Sequence, residues 1–271
     1  MVRILITGGE GYIGLNLGTF LTMLGHSVVL YDLQSELDIL DLKTLTRYAR
    51  NCHTMIHLAA IPGVAPCNDN PELAWQINYV GTVNAVLAAK RAGVKKLIVA
   101  SSAAAKNPYT VYGKTKQAVE KLCETTRLVQ AWVLRFSNVY GGFCFTQKKD
   151  TVVARFLRAI ESGETVTVYC DGNQQRDFIH VWEVCSAIKA VIETKALPGV
   201  PLEICTGVTR TIRELVDAIG LNWEYGFKLE PKAVPPDPSM AYHVLGWSAR
   251  DRMKQDLIRW RNRAKRKRQN G

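Results

Sequence analysis

The chain has 271 residues, 47% hydrophobic and 22% charged, proportions of a folded globular protein that exclude disorder, a collagen-like repeat and a coiled coil. No run of about 18 apolar residues occurs, and the apolar N-terminus is interrupted by Gly8, Gly9, Glu10 and Gly11, so neither a membrane span nor a signal peptide fits and a cytoplasmic protein is expected. The net charge of +11 is concentrated at one end, with seven basic residues and no acid between Arg259 and Gly271; the mildly basic body makes nucleic acid an unlikely general partner.

Residues 2–7 form a short apolar run rich in β-branched side chains, followed by glycines, an apolar-periodic stretch over 12–24 and a second strand-like run over 27–32. The rhythm continues with a helix after Asp41, a strand at 54–58, a helix over 71–92, a strand at 96–101, a helix over 109–128 and a strand at 131–136. Nearly continuous apolar strands alternating with helices predict an α/β fold, a Rossmann-type doubly wound parallel sheet with helices on both faces.

Beyond Tyr140 the rhythm loosens into helical stretches at 151–162, 182–194 and 211–219, which predict a smaller C-terminal substrate lobe. The expected organisation is residues 1–140 as the dinucleotide-binding domain, 141–258 as the lobe interleaved with it, and 259–271 as a basic tail, either solvated or extending a helix through Trp260. Pro231, Pro235, Pro236 and Pro238 predict a loop up to Leu245, since proline lacks the backbone donor. The seven cysteines, Cys52, Cys67, Cys123, Cys144, Cys170, Cys185 and Cys205, are scattered with no C-x-x-C pair. Buried reduced thiols are expected, with no disulfide framework and no metal site.

Thr7-Gly8-Gly9-Glu10-Gly11-Tyr12-Ile13-Gly14 sets glycines three apart between a predicted strand and a predicted helix. Glycine permits the tight turn and the close backbone approach that a pyrophosphate at a helix N-terminus needs; the alternative is a glycine-rich turn with no ligand. Asp32 ends the second predicted strand 18 positions beyond Gly14. There a carboxylate accepts hydrogen bonds from both ribose hydroxyls and repels a 2′-phosphate, so NAD is preferred over NADP; the same residue also suits an N-cap or a solvated loop. Asp38 and Ile39 offer a carboxylate to an adenine amino group and an apolar side chain to its ring.

Tyr112 and Lys116, four apart in a predicted helix, share one face. A nearby ammonium and a positively charged nicotinamide favour phenolate and lower the tyrosine pKa, which suits proton removal from a sugar hydroxyl. Ser102 closes the preceding strand, where its hydroxyl reaches the same oxygen. A Tyr/Lys pair at this spacing is also common as a solvated surface pair. His57 and His180 lie in apolar strand-like runs and read as satisfied core or strand-end histidines.

Five further runs join these motifs in order: His57-Leu58-Ala59-Ala60, Asn78-Tyr79-Val80-Gly81-Thr82, Leu134-Arg135-Phe136-Ser137-Asn138-Val139-Tyr140-Gly141, Asp171-Gly172-Asn173-Gln174-Gln175-Arg176-Asp177-Phe178-Ile179-His180-Val181, and Leu245-Gly246-Trp247. Together they resemble the extended short-chain dehydrogenase/reductase family over most of the chain, in particular its NAD-dependent nucleotide-sugar epimerases and dehydratases of the UDP-glucose 4-epimerase kind. The resemblance implies cofactor contacts from Gly8, Gly11, Tyr12, Ile13, Gly14, Asp32, Asp38, Ile39, Leu58, Ala59, Ala60, Asn78, Tyr112 and Lys116. It implies catalysis by Tyr112, Lys116 and Ser102, and substrate contacts from Ser102, Asn138 and Arg176, the last two at the nucleotide-sugar diphosphate. A guanidinium forks onto phosphate oxygens in two parallel bonds; an internal Arg176–Asp177 ion pair is the alternative. The resemblance also implies a homodimer paired through residues 71–92 and 109–128, a solvated surface on those helices being the alternative.

Family dehydratases resemble one another in an Asp-Glu pair after the active-site Ser or Thr, and the decarboxylases carry a Glu near there, whereas Ala103, Ala104 and Ala105 follow Ser102 in this chain. The family's sugar reductases mostly consume NADPH, which Asp32 disfavours. C4 epimerisation of a UDP-sugar through a transient 4-keto intermediate remains, with a dehydratase or other oxidoreductase of the family, or one acting on a sterol or small carbonyl compound, as alternatives. A non-catalytic NAD-binding scaffold whose basic tail binds nucleic acid is the alternative of a different class. The chain departs from the family in three places: Tyr112 follows Ser102 by only 10 positions, Cys170 stands at a glycine position, and Lys232 replaces a second phosphate-binding Arg.

Overall fold

The computed structural model describes residues 1–126, 129–143, 151–169, 171–226 and 234–270. Cys144, Cys170, Lys232, Pro231 and the end of the helix expected to reach Leu128 lie outside the described residues.

Six strands, β1 (Arg3–Thr7), β2 (Ser27–Tyr31), β3 (Thr54–His57), β4 (Lys96–Ser102), β5 (Ala131–Phe136) and β9 (Leu202–Ile204), form one sheet in the order β2-β1-β3-β4-β5-β9. Every pair is parallel, with Ile4 beside Val28 and Thr54, and Ser101 beside Arg135. Alternation along the strands divides the core. Ile4, Ile6, Ile56, Ile98 and Leu134 face the side covered by α1 (Tyr12–Met23) and α8 (Val181–Glu193). Leu5, Met55, Leu97, Val99 and Val133 face the side covered by α2 (Leu42–Ala49), α5 (Gly81–Ala92) and α6 (Val111–Thr125). Such two-sided burial explains why the strands read as apolar runs rather than alternating ones.

The stretch expected as one helix over 71–92 is α4 (Pro71–Trp75), a π-type turn over Gln76–Val80, and α5 in unbroken succession. A short α3 (Val64–Asp69) precedes it, tolerating Pro66 because its first-turn N–H groups have no helical partner. The second half adds β6 (Asn138–Tyr140), α7 (Val152–Ser162), β7 (Val166–Tyr169), β8 (Gln175–His180), β10 (Thr209–Thr211), α9 (Ile212–Ile219) and β11 (Trp223–Gly226). These strands form a three-stranded sheet, β10-β8-β6, and a two-stranded one, β11-β7. Phe156, Leu215 and Val216 belong to the same apolar cluster as Ile4 and Ile6, and β9 completes the main sheet, so both halves share one core.

One expectation is corrected. The proline-rich loop does not run to Leu245: α10 (Ser239–Leu245) starts directly after Pro238, where a proline ahead of the first turn removes no helical hydrogen bond. Of the two readings of the basic C-terminal run, the structure has the helix through Trp260: α11 (Met253–Asn270) carries it. Met253 and Leu257 are buried, and Trp260 and Ala264 pack on the core, a helical spacing that docks one stripe while Arg259, Arg263, Lys265, Arg266 and Lys267 are exposed. Among the described residues no helix is long and apolar enough to cross a membrane.

Lys96, 7% exposed at the start of β4, ties the sheet to α8. Its ammonium donates to the carbonyl oxygens of Val191 (2.6 Å), Ile192 (3.1 Å) and Thr194 (2.9 Å), satisfying acceptors that the end of a helix leaves open. Lys96→Met, which keeps the length and loses the donors, is expected to lower stability by about 2 kcal/mol in urea denaturation, the scale of hydrogen bonds to a charged group.

Candidate active site

A cleft of about 560 Å³ opens at the carboxyl ends of β1 to β5, lined at one end by Asp32 and Asp38 and at the other by Ser102, Tyr112 and Lys116. This is where open α/β sheets bind ligands. Its floor is backbone. Gly8 has φ +70°, and a Cβ placed on it would stand 2.6 Å from the Ala59 nitrogen; one on Gly14 would stand 2.3 Å from the Gly8 oxygen. The turn closes through Gly11 N–H to Gly8 O at 3.2 Å. Helix α1 begins there without a side-chain cap, so its first-turn dipoles point into the cleft, the arrangement that receives a pyrophosphate. Tyr12 and Ile13 line the same wall, and Leu58, Ala59 and Ala60 line the facing one.

At the far end Asp32 combines two expected roles. Its carboxylate accepts from Glu10 N–H (3.0 Å) and Gln34 N–H (3.1 Å), capping the 3₁₀ turn Leu33–Ser35, while remaining on the cleft wall. Asp38 accepts from Leu40 N–H at 2.8 Å, and Ile39, with Leu33 and Leu37, supplies an apolar surface on the same wall. Asn78 does not line the cleft. Its amide accepts from Ile61 N–H (2.7 Å) and donates to Ile61 O (3.2 Å) and Thr115 Oγ1 (3.1 Å), so it braces the strand-end loop against α6 from inside the π-type turn. A buried amide is spent on such bonds before a ligand can use it.

At the other end the sequence spacing is realised in space. Ser102 ends β4, and Tyr112 and Lys116 project from consecutive turns of α6. The Ser102 side chain lies close enough to the Tyr112 hydroxyl to favour its ionised form, and its Oγ accepts from Ala104 N–H at 3.2 Å. Lys116, 5% exposed, donates from Nζ to Ala100 O at 2.8 Å. Burial pushes its pKa down to about 8.

The Tyr112 phenol departs from the expected depression. Burial pushes its pKa up, with the nearby Ser102 side chain only opposing that. The protein's own groups therefore do not make this phenol acidic; the expected depression also calls for the positive nicotinamide.

Asn138 and Arg176 stand on the neighbouring β10-β8-β6 sheet and are not among the cleft-lining residues, which include Ser137 and Val139 on either side of Asn138 in the chain. Asn138 is exposed and donates to Asp177 O at 2.9 Å; Arg176 is partly exposed and donates to Gln175 O at 2.8 Å. Asp177 accepts from Ser137 Oγ (2.6 Å), Thr206 N–H (3.0 Å) and Thr206 Oγ1 (2.7 Å). Ser137 was not anticipated as a cleft residue; its place directly before Asn138 in the quoted run was the available signal.

The histidines sit as expected. His57 is bonded by Thr7 Oγ1 (2.7 Å) and Thr82 Oγ1 (3.0 Å) and is held neutral, its pKa pushed down to about 3 by burial and by Lys116. His180 accepts from Trp182 N–H and caps α8. Among the described residues no group of three or more His, Cys, Asp or Glu side chains is placed to hold a metal ion.

A parallel doubly wound sheet with a glycine-floored cleft and a Ser-Tyr-Lys wall defines a dinucleotide-dependent enzyme of the short-chain dehydrogenase type. The profile of the NAD dependent epimerase/dehydratase family matches residues 4–204, and the chain belongs to that family. It is 30% identical to the UDP-glucose 4-epimerase of Mycolicibacterium smegmatis, over 91% of this chain and 93% of that protein. Among solved structures it is similar to MoeE5 in complex with UDP-glucuronic acid and NAD, with 30% identity, a TM-score of 0.86 and coverage of 97% and 99% of the two chains. The UDP-glucose 4-epimerase of Thermotoga maritima with UDP-glucose has 25% identity, a TM-score of 0.85 and coverage of 98% and 99%.

NAD is the cofactor of this family, and the residues present fit it: a backbone floor for the phosphates, Asp32 at the ribose end and a buried lysine with a half-buried phenol at the other. Asp32→Ala is expected to weaken NAD binding by about tenfold or more, from lost hydrogen bonds to a charged acceptor, and to narrow the preference over NADP, as titration calorimetry with both nucleotides can show.

Proposed function

We propose that the chain is an NAD-dependent nucleotide-sugar epimerase that inverts C4 of a UDP-sugar through a 4-keto intermediate. The observation that carries this reading is the Ser102–Tyr112–Lys116 wall of the cleft followed by Ala103, Ala104 and Ala105. Proton and hydride transfer at one hydroxyl-bearing carbon are provided for, while the extra acid and base that water elimination requires are missing from the position after Ser102. The UDP-sugar epimerase relatives support the substrate class.

Ser102 holds the C4 oxygen, and Tyr112 takes its proton as the carbonyl forms and returns it after the sugar has turned over. NAD, when bound, supplies the acceptor for the C4 hydride and its return to the opposite face. Lys116 binds the nicotinamide ribose and keeps a positive charge beside the phenol. Asn138 and Arg176 hold the diphosphate, so that the sugar alone rotates.

Free, buried cysteines at 52, 67, 123, 185 and 205 support a reducing, cytoplasmic setting. Trp75, Val80 and Tyr109, 39%, 44% and 56% exposed on or beside α4 to α6, support pairing of two copies through those helices as a homodimer.

Incubation with UDP-, GDP-, dTDP- and CDP-sugars, followed by NMR for mass-neutral isomerisation, tests the reading. A UDP-sugar and its C4 epimer are the expected pair, and no product from any sugar would reject it. Tyr112→Phe is expected to lower kcat by about 10³-fold, within the range for a positioned acid–base group, with NAD affinity retained. Turnover is expected to fall as pH rises through about 8, because Lys116 is charged below its pKa and neutral above it. Residual activity of Lys116→Met is expected to lack that alkaline limb.

A further inference from the structure

Behind the cleft wall, a chain of ionic bonds links the catalytic strand and helix to the substrate lobe. Ser101 and Ser102 are consecutive on β4, so their side chains leave opposite faces of the strand. Ser102 meets Tyr112, and Ser101 Oγ donates to Glu120 Oε1 at 2.5 Å. Glu120 lies one turn beyond Lys116 on α6, its side chain 8% exposed. Arg135, in register with Ser101 on β5, grips it as a fork, Nε to Oε1 at 2.8 Å and Nη2 to Oε2 at 2.6 Å.

The chain continues outward. Arg135 Nη1 is 3.8 Å from Glu203 Oε1 on β9, and Lys106 Nζ is 2.7 Å from the same oxygen. Glu203 Oε2 accepts from Asp237 N–H at 2.9 Å, and Lys106 also donates to Pro235 O at 3.2 Å.

A buried carboxylate is costly to desolvate, and an apolar side chain could pack α6 on the sheet without that cost. What the carboxylate adds is charge and direction. Lys116 is faced by His57 from β3, by Cys67 from α3, and by Tyr112, Glu120 and Cys123 from its own helix. Burial keeps His57 uncharged and pushes the Cys67 and Cys123 thiols and the Tyr112 phenol up. Among these described groups Glu120 is the one carboxylate, and it is paired with the Arg135 guanidinium.

We propose that Glu120 is a positioning residue for the epimerase reaction: held by Ser101 and Arg135, it aligns the Ser102 end of β4 with the Lys116 face of α6 and sets its carboxylate one helical turn beyond Lys116. This rests on the catalytic reading of Ser102, Tyr112 and Lys116. Glu120→Gln keeps the shape and removes the charge. It is expected to lower kcat about tenfold, the effect of one charge-assisted bond, with KM within about twofold, and to move the alkaline limb of the rate profile to lower pH. A lowered melting temperature with kcat and the limb unmoved would make Glu120 purely structural and overturn the proposal.

Should Glu120→Gln fail to fold, Ser101→Ala decides on the same terms, an unchanged kcat overturning the proposal and a loss of about three- to tenfold at constant KM supporting it. Titration of Lys116 by NMR in lysine-labelled protein, assigned with Lys116→Met, needs no turnover. A lower midpoint in the Glu120→Gln variant supports the role and an identical midpoint overturns it, whereas absent epimerase activity would count against the assigned reaction alone.

Discussion

Where the turn after β1 meets the Leu58–Ala59 backbone there is no room for one further carbon, and a Cβ on Gly8 or Gly14 would stand 2.6 or 2.3 Å from backbone atoms. This contact draws together the ends of β1 and β3, neighbours in the sheet whose following segments diverge. A groove floored by backbone results, long enough to run from Asp32 to Lys116. Phosphate oxygens can then be met by fixed N–H dipoles rather than by mobile side chains, which spares the entropy of ordering the latter. The positions of both functional ends follow from that floor.

The chemistry at the nicotinamide end is shaped by burial. Lys116 is pushed down and the Tyr112 phenol up, because each loses water around its charged form. His57, though close enough to influence Lys116, is locked between two threonine hydroxyls and stays neutral. On the proposed reading, the Tyr112 phenol gives up its proton only with a positive charge against it, which would couple proton removal to the presence of an oxidised dinucleotide.

The substrate side is attached to this machinery by buried polar bonds as well as by shared apolar core. Asp177, next to Arg176, is held by Ser137 and Thr206, and Ser137 is itself on the cleft wall. The residue expected to meet the diphosphate is therefore set by the same segment that borders the cofactor. Tyr140 extends the tie to α11, donating to Asp256 at 3.0 Å, so the basic C-terminal helix is part of the folded body.

Much of the fold was legible in local pattern. The glycine turn, Asp32, Ser102 and the Tyr112/Lys116 spacing could be read because each depends on a few neighbouring residues: positive φ, strand-end position, one helical turn. The strands were visible because burial on both faces demands unbroken apolar runs. Asn78 illustrates the limit, since an amide that suits a cofactor equally suits a loop carbonyl, and only the packing of α6 against the Ile61 loop assigns its bonds. The same holds for Asp177, held by Thr206 and Ser137 from other segments, for α10, whose start depends on where Pro238 lands, and for the direction of the Tyr112 shift, which follows from how much water the fold removes. Chain-local geometry was determined by the sequence itself; long-range pairing and desolvation were decided by tertiary structure, because both depend on groups distant along the chain.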